Sequence, residues 1–393
     1  MRIAYFSPLS PQRTGVADYS EELLPYLARH AELDLFVDAY TPANPDIAAR
    51  FPVHDYRELE SLRQARRYDV ALYQMGNSRY HEYVYRTLAR FPGVTVLHDH
   101  VLHHLVVEMT VGRGDEAAYI REMGYCHGVA GIEAAWEALR AGYQFPYLRY
   151  PANRRVLDSS FGVIVHSRYA QALLAAESPH TPVALVPHHV LPAEPPEDLA
   201  CLRRSLGLPE EALLFASFGL ATPEKRLDVA LRAFRQVRER FPDALYLVVG
   251  DVPARHDLPQ TIHDLGLRDS ATVTGYVAKS DLLRYVDAVD VCVSLRWPTV
   301  GETSGSLLRA LVAGKAAIVS DVGSFAELPD DCCRKVPVGE AEHERLVEAM
   351  LALAEDPAGR EALGQRARRH VLERHAIERS AAQYIAFVES LLG

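Results

Sequence analysis

Residues 301–328 read GETSGSLLRALVAGKAAIVSDVGSFAEL, and this stretch decides the fold class. Its polar opening, Glu302, Thr303, Ser304, Gly305 and Ser306, heads a helical run that reaches about Ala313, where Gly314 can close the helix. The run that follows, residues 316–320, has no polar alternation, as expected of a parallel strand covered on both faces. At the start of such a helix the free backbone N–H groups and the positive end of the dipole attract an anion, a phosphate above all.

Upstream, Phe218-Gly219-Leu220-Ala221-Thr222-Pro223-Glu224-Lys225-Arg226 shows a second strand, loop and helix start, this one with two adjacent cations. A cationic pair on one loop and a helix N-terminus on another can seat a diphosphate. Working outward, short apolar runs alternate with helix-period segments in both halves, the pattern of βαβ units. It predicts strands at 2–6, 34–37, 70–73, 94–97, 163–166 and 183–186, then at 213–218, 245–249, 272–274, 291–294, 317–320 and 334–336. Between the two sets lies PHHVLPAEPP, residues 187–196, whose prolines sustain neither a helix nor an inner strand, so a hinge is expected there. Helical patterning over 115–142 interrupts the first set, and two helical stretches follow Leu363. Ligands of open α/β sheets bind beyond the carboxyl ends of the strands, where residues 7–15, 98–100, 219–226, 250–251, 275–277 and 296–306 fall.

A chain of 393 residues accommodates two cores, and 49% apolar with 24% charged residues is ordinary globular composition. A formal net charge of −10 argues against general affinity for nucleic acid. No apolar run approaches the roughly 20 residues that span a bilayer, and the start MRIAYFSPLS lacks the pattern of an export signal, so a cytoplasmic protein is expected. Cys126, Cys201, Cys292, Cys332 and Cys333 have no paired spacing and read as reduced thiols. The only lysines are Lys225, Lys279, Lys315 and Lys335. A lysine inside the phosphate-type loop of so arginine-rich a chain suggests a compact point charge wanted there, with chance as the rival reading.

The spacing of Gly219, Lys225, Gly250-Asp251, Gly275-Tyr276-Val277, Asp290, Glu302 and residues 314–327 resembles the C-terminal domain of retaining glycosyltransferases of the GT-B fold, within them glycosyltransferase group 1, or family 4-like. Phe6-Ser7-Pro8-Leu9-Ser10-Pro11, Thr14-Gly15-Val16-Ala17-Asp18-Tyr19-Ser20 and Leu97-His98-Asp99-His100 are similar to the family's amino-terminal half. The resemblance implies an α/β fold of two Rossmann-like, doubly wound domains facing across a cleft. Residues 1–190 would bind acceptor and carry a helical insertion at about 101–150; residues 191–374 would bind the nucleotide-sugar; residues 375–393 would form a helix crossing back to the first domain. The implied reaction moves a hexose from a UDP- or GDP-sugar to a saccharide or lipid-linked acceptor in cell-surface glycan synthesis. The nucleotide-sugar is a substrate, and neither cofactor nor metal is expected. A lipid-linked acceptor would bring peripheral contact with the inner face of the membrane. The oligomeric state is left open.

Residue by residue, the resemblance assigns Lys225 to the leaving diphosphate, with Gly219 beside it and Arg226, Arg296 or Arg309 replacing the arginine that relatives carry where this chain has Leu220. A solvated helix start is the bland alternative for Lys225 and Arg226. Glu302 would contact the donor sugar or else cap the helix. The family's second glutamate is missing, since Arg309 or Ala310 falls there, so ribose binding is unassigned. Backbone at Thr303, Ser304, Gly305, Ser306 and Leu307 would hold phosphate or sugar, or serve as a plain cap. Tyr276 and Val277 would read the base, Tyr276 alternatively being core; Gly250 and Asp251 end the neighbouring strand. Gly15 would let backbone approach the donor phosphates. His98 would lie near the donor sugar with Asp99 orienting it. A structural histidine, or a metal cluster of His98, Asp99, His100, His103 and His104, stands as the alternative. His188 and His189 read as structural. Three rivals to sugar transfer remain: a nicotinamide oxidoreductase, for which no G-x-G-x-x-G occurs, a nucleotide-sugar epimerase, and a degenerate sugar-nucleotide-binding protein.

Overall fold

A computed structural model of the chain describes residues 1–66, 68–141, 145–253 and 256–393. It divides into two compact units: Met1–His189 with Val300–Thr303 and Ile377–Gly393, and Val190–Thr299 with Ser304–Ala376. The chain therefore passes between units four times.

The first unit is a parallel sheet of β1 (Arg2–Phe6), β2 (Glu32–Val37), β3 (Val53–Asp55), β4 (Val70–Met75), β5 (Gly93–Leu97), β6 (Ser160–Val165) and β7 (Val183–Leu185), in the order β3-β2-β1-β4-β5-β6-β7. Successive residues alternate between its faces as strand geometry requires. Ile3, Tyr5, Leu35, Leu72 and Val96 enter one core, and Ala4, Phe6, Phe36, Tyr73 and Leu97 the other. The first core is closed by the last helix, Ile377–Leu392, which supplies Ile377, Ala381, Tyr384, Ile385 and Val388 at helical spacing. That is the return to the first unit expected of the GT-B fold.

The second unit is also all parallel, with β8 (Leu214–Phe218), β9 (Leu245–Val249), β10 (Ala271–Val273), β11 (Val291–Ser294), β12 (Ala316–Ser320) and β13 (Arg334–Val336) in the order β10-β9-β8-β11-β12-β13. Strands β8 and β12 are wholly buried, which is why their sequences show no polar alternation. Where the chain enters and leaves this unit the two segments lie side by side, the Val190 N–H donating to the His375 carbonyl at 2.9 Å.

All twelve predicted strands are present, displaced at their ends by at most three residues. Strand β3 was not anticipated: three half-buried residues, Val-His-Asp, at a sheet edge carry no apolar signature. In the insertion, helices cover His103–Met109 and Glu116–Ala141, the latter bent at Gly128 where φ is +64°. The predicted end of this helical stretch, Gly142, lies outside the described residues.

Candidate functional site

In both sheets the strand order reverses once, between β1 and β4 and between β8 and β11. Loops leaving two such strands diverge and open a crevice, the usual ligand position of doubly wound folds.

In the second unit the loop after β8 begins at Gly219, with φ +85° and its N–H donating to Val249 at 2.8 Å. A Cβ on Gly250 would lie 2.3 Å from the Gly219 carbonyl oxygen, so the ends of β8 and β9 meet in a contact only glycine allows. Lys225 folds back beneath this point and donates from Nζ to the Phe218 carbonyl. Its charge also reaches β11: burial pushes the Cys292 thiol up to about 12, and Lys225 partly opposes that rise. Lys225 thus stands at the β8/β11 switch point, its Nζ bonded to the end of β8.

The loop after β11 is tied to the same place. The Trp297 N–H donates to the Glu224 carbonyl at 2.8 Å and the Arg296 N–H to Ser320 Oγ at 2.9 Å, while the Arg296 guanidinium lies 5.8 Å from the centre of the Phe325 ring. After the excursion 300–303 the chain re-enters at Ser304, which caps the helix Gly305–Val312 by accepting from the Leu307 N–H at 3.3 Å. The first-turn N–H groups have no intrahelical acceptor and head a dipole whose positive end attracts an anion. Thr303 Oγ1 is buried without a hydrogen-bond partner among the described residues. Gly314, with φ +75°, follows the helix as expected.

Arg226 corrects one expectation. It takes the left-handed conformation, φ +54°, and its guanidinium is engaged by Glu342, whose side chain is buried. The ion pair raises the arginine's pKa. A cation neutralised in this way does not fit the part of second clamp on a diphosphate. Tyr276 is 53% exposed, against its reading as core, and follows Gly275 at φ +71°. Val277 packs partly on the core. The Asp251 carboxylate accepts from the Val252 N–H at 3.0 Å and its carbonyl from the Ala221 N–H at 2.8 Å. Asp290 joins strand to helix, accepting from the Leu214 N–H at 2.8 Å and from Arg203 at 2.9 Å.

In the first unit His98 leaves β5 with its N–H bonded to the Met75 carbonyl at 2.9 Å. Its Nε2 meets Gln74 Oε1 at 2.7 Å, so Nε2 carries the proton and Nδ1 is the acceptor. Burial first, and then the neighbouring rings of His166 and His188, hold its pKa well below the ordinary histidine value. The ring is therefore neutral. It packs on Tyr19 at 4.8 Å and His166 at 5.0 Å; Tyr19 in turn touches His188 and His189 and bonds Tyr384 Oη at 2.6 Å. The Asp99 Oδ2 accepts from the Asn77 N–H at 2.8 Å, and Gln74 holds the His98 ring. The sequence did hold a signal for Gln74: a lone amide in an otherwise apolar, buried strand.

Gly15 opens the helix Gly15–Leu27 behind the cap Thr14, and the space its Cβ would fill is empty. Glu302 is not the helix cap; its Oε2 accepts from the Val300 N–H at 2.8 Å. The remaining histidines of the proposed metal cluster have separate partners. His100 meets Glu177, His103 meets Tyr119 and stacks on Phe145, and His104 meets Asn77. No group of three or more potential ligands converges on a metal position among the described residues.

Comparison with known proteins agrees with this geometry. Residues 201–370 match the family model described as glycosyl transferases group 1. The 2-deoxystreptamine glucosyltransferase of Streptomyces kanamyceticus is 26% identical over 247 residues, 61% of this chain and 63% of the relative. The lipopolysaccharide core biosynthesis mannosyltransferase LpcC of Rhizobium leguminosarum bv. viciae is 30% identical over 225 residues, 55% of this chain and 61% of the relative. The chain thus spans less than two thirds of the length of either. Among solved structures, sucrose-phosphate synthase from Thermosynechococcus elongatus superposes with a TM-score of 0.72 at 18% identity, over 99% of this chain and 98% of the other. Anabaena HepE in complex with UDP-glucose superposes with a TM-score of 0.71 at 17% identity, over 99% and 100%. The fold is that of the GT-B glycosyltransferases.

Proposed function

From the match of residues 201–370 to the group 1 glycosyl transferases we propose that the protein is a retaining hexosyltransferase using a UDP- or GDP-sugar. The observation that carries this is the position of Lys225, at the switch point of the second sheet and tied through Glu224 to the loop after β11. The UDP-glucose held by the Anabaena relative supports a nucleotide-sugar as donor.

In the reaction the bond from the anomeric carbon to the diphosphate oxygen breaks, its electron pair leaving with the phosphate. The acceptor hydroxyl attacks from the same face, and its proton passes to an oxygen of the leaving phosphate. Lys225 and the amides at the head of the helix Gly305–Val312 stabilise the growing phosphate charge. Tyr276 and Val277 face the base. Neutral His98 offers Nδ1 as acceptor to a sugar hydroxyl, and Glu302 contacts the donor sugar. Arg296 replaces Arg226 as the second cation. No protein carboxylate acts as nucleophile and no metal is required. The acceptor is a saccharide or a lipid-linked saccharide.

The test is purified protein against a panel of UDP-, GDP-, ADP- and CDP-sugars, read by hydrolysis, transfer and thermal shift. At least one should raise the melting temperature and turn over. Lys225→Ala should lower turnover by about 10²-fold with the fold intact, as for removal of one charge-stabilising donor. Absence of both binding and hydrolysis with every donor refutes the reading; binding without turnover in any arm reduces the protein to a sugar-nucleotide receptor.

A further inference from the structure

Four residues, Val300–Thr303, interrupt the second unit and belong to the first. They carry Glu302. The Val300 carbonyl accepts from two successive N–H groups of the β5 loop, His100 at 2.9 Å and Val101 at 3.3 Å, while the Val300 N–H is taken by the Glu302 carboxylate at 2.8 Å. Gly301 sits directly on His100. Its φ is +81°, and a Cβ there would lie 2.6 Å from the His100 Cβ, so both backbone conformation and space demand glycine.

His100 is itself immobilised. Its Nε2 meets Glu177 Oε1 at 3.0 Å, its carbonyl accepts from Asn153 Nδ2 at 3.1 Å, and Asn153 also donates to Glu177 Oε2 at 3.0 Å. His100 and Asn153 are 6% and 3% exposed. Burial pushes the Glu177 carboxyl up, but the hydrogen bonds from His100 and Asn153 prevail and hold it below the usual range. The pair is therefore a carboxylate facing an Nε2–H donor.

We propose that His100, Asn153 and Glu177 form a clasp whose task is to position Glu302, fixing it at a constant spacing from His98, two residues before His100 on the same loop. The clasp residues are positioning residues; none is assigned to substrate. This rests on the reading of Glu302 and His98 as the groups that hold the donor sugar. Its consequence is a division of labour along the chain. Lys225 and residues 304–307, assigned to the diphosphate, belong to the second unit, whereas Glu302 and His98 belong to the first. A part-buried His–Glu pair can instead serve stability alone, so the test needs a readout that stability would not move.

Glu177→Ala and Gly301→Ala are compared with wild type and with the conservative Glu177→Gln. The measurements are kcat and KM for the sugar donor, affinity for UDP and GDP without sugar, and hydrogen exchange of the segment 299–304. Loosening the clasp should lower kcat roughly 10- to 100-fold, the effect of about an ångström of misplacement. Nucleotide affinity should stay within about twofold, exchange over 299–304 should accelerate, and Glu177→Gln should keep most of the activity. Exchange in 299–304 and kcat both unchanged in the two disruptive variants overturns the proposal, as does a loss of nucleotide affinity equal to the loss of kcat. If wild type binds nucleotide yet turns over no sugar donor, the proposed activity fails on its own account. Hydrogen exchange then still decides whether the clasp exists. Should Glu177→Ala not fold, Gly301→Ala supplies the same comparison.

Discussion

Replacing Gly219 by alanine probes the seat of Lys225 without touching the lysine itself. Two costs follow from the geometry. The residue must adopt φ +85°, which in a non-glycine residue costs about 1–2 kcal/mol, or a melting temperature lower by roughly 2–8 °C for a unit of this size. The new Cβ would also stand 2.8 Å from Lys225 Nζ, and an ordinary contact starts at 3.4 Å, so the ammonium must retreat by at least the difference, about 0.6 Å. The side chain is flexible and will give way. If Lys225 acts on the leaving phosphate, a retreat of that size costs roughly 10-fold in turnover, on the scale of about 10²-fold per ångström. Gly266→Ala is the control. That glycine has φ +69° and nothing within 4 Å of its would-be Cβ, so it imposes the same backbone strain with no cation to displace. Turnover of a nucleotide-sugar and thermal melting are measured on both variants. Equal melting losses with a selective loss of turnover in Gly219→Ala is the expected outcome. Equal turnover in the two variants would refute the placement of Lys225 in the chemistry.

Two further outcomes concern the histidine-rich core of the first unit. Burial lowers the pKa of His81 from 6.5 to about 4, and His98 and His103 shift the same way. The unfolded chain therefore binds more protons between these values and 6.5, so stability is full above about pH 6.5 and falls as pH drops toward 4. His81 alone accounts for about 2 kcal/mol by pH 5, and a urea midpoint that stays flat from pH 7.5 to 5 would contradict the buried, neutral assignment. Tyr384→Phe removes the 2.6 Å bond to Tyr19 Oη and strands a buried hydroxyl, which should cost about 1–3 kcal/mol in urea unfolding. Adding Tyr19→Phe should return most of that loss, and no recovery in the double variant would show that the pair is not the cause.

Much of the architecture is visible in the primary structure because parallel strands buried on both faces are written as largely apolar runs without polar alternation. β5, β8 and β12 declare themselves in this way, and Gly314 marks a helix end through its own φ. Ser304 at the helix cap is legible for a local reason also: its partner, Leu307, is three residues away. What escaped reading is non-local. The Arg226 partner lies 116 residues downstream, and neither side of that ion pair has a sequence mark. Gln74 and His98 meet only because β4 and β5 pair in register. The attachment of residues 300–303 to the β5 loop depends on contacts across about 200 positions, and only the glycine at 301 hints at it.

The four passages of the chain between the two units have a practical corollary for engineering. Cutting after His189 would strip Ile377, Ala381, Tyr384, Ile385 and Val388 from the sheet they cover, leaving a bare oily surface prone to self-association. A hybrid enzyme built with a relative's second unit would have to be spliced at four seams, and the short host segment 300–303 would have to be kept in frame with its own first unit. A single crossover would instead pair a foreign loop with the native His100 seat.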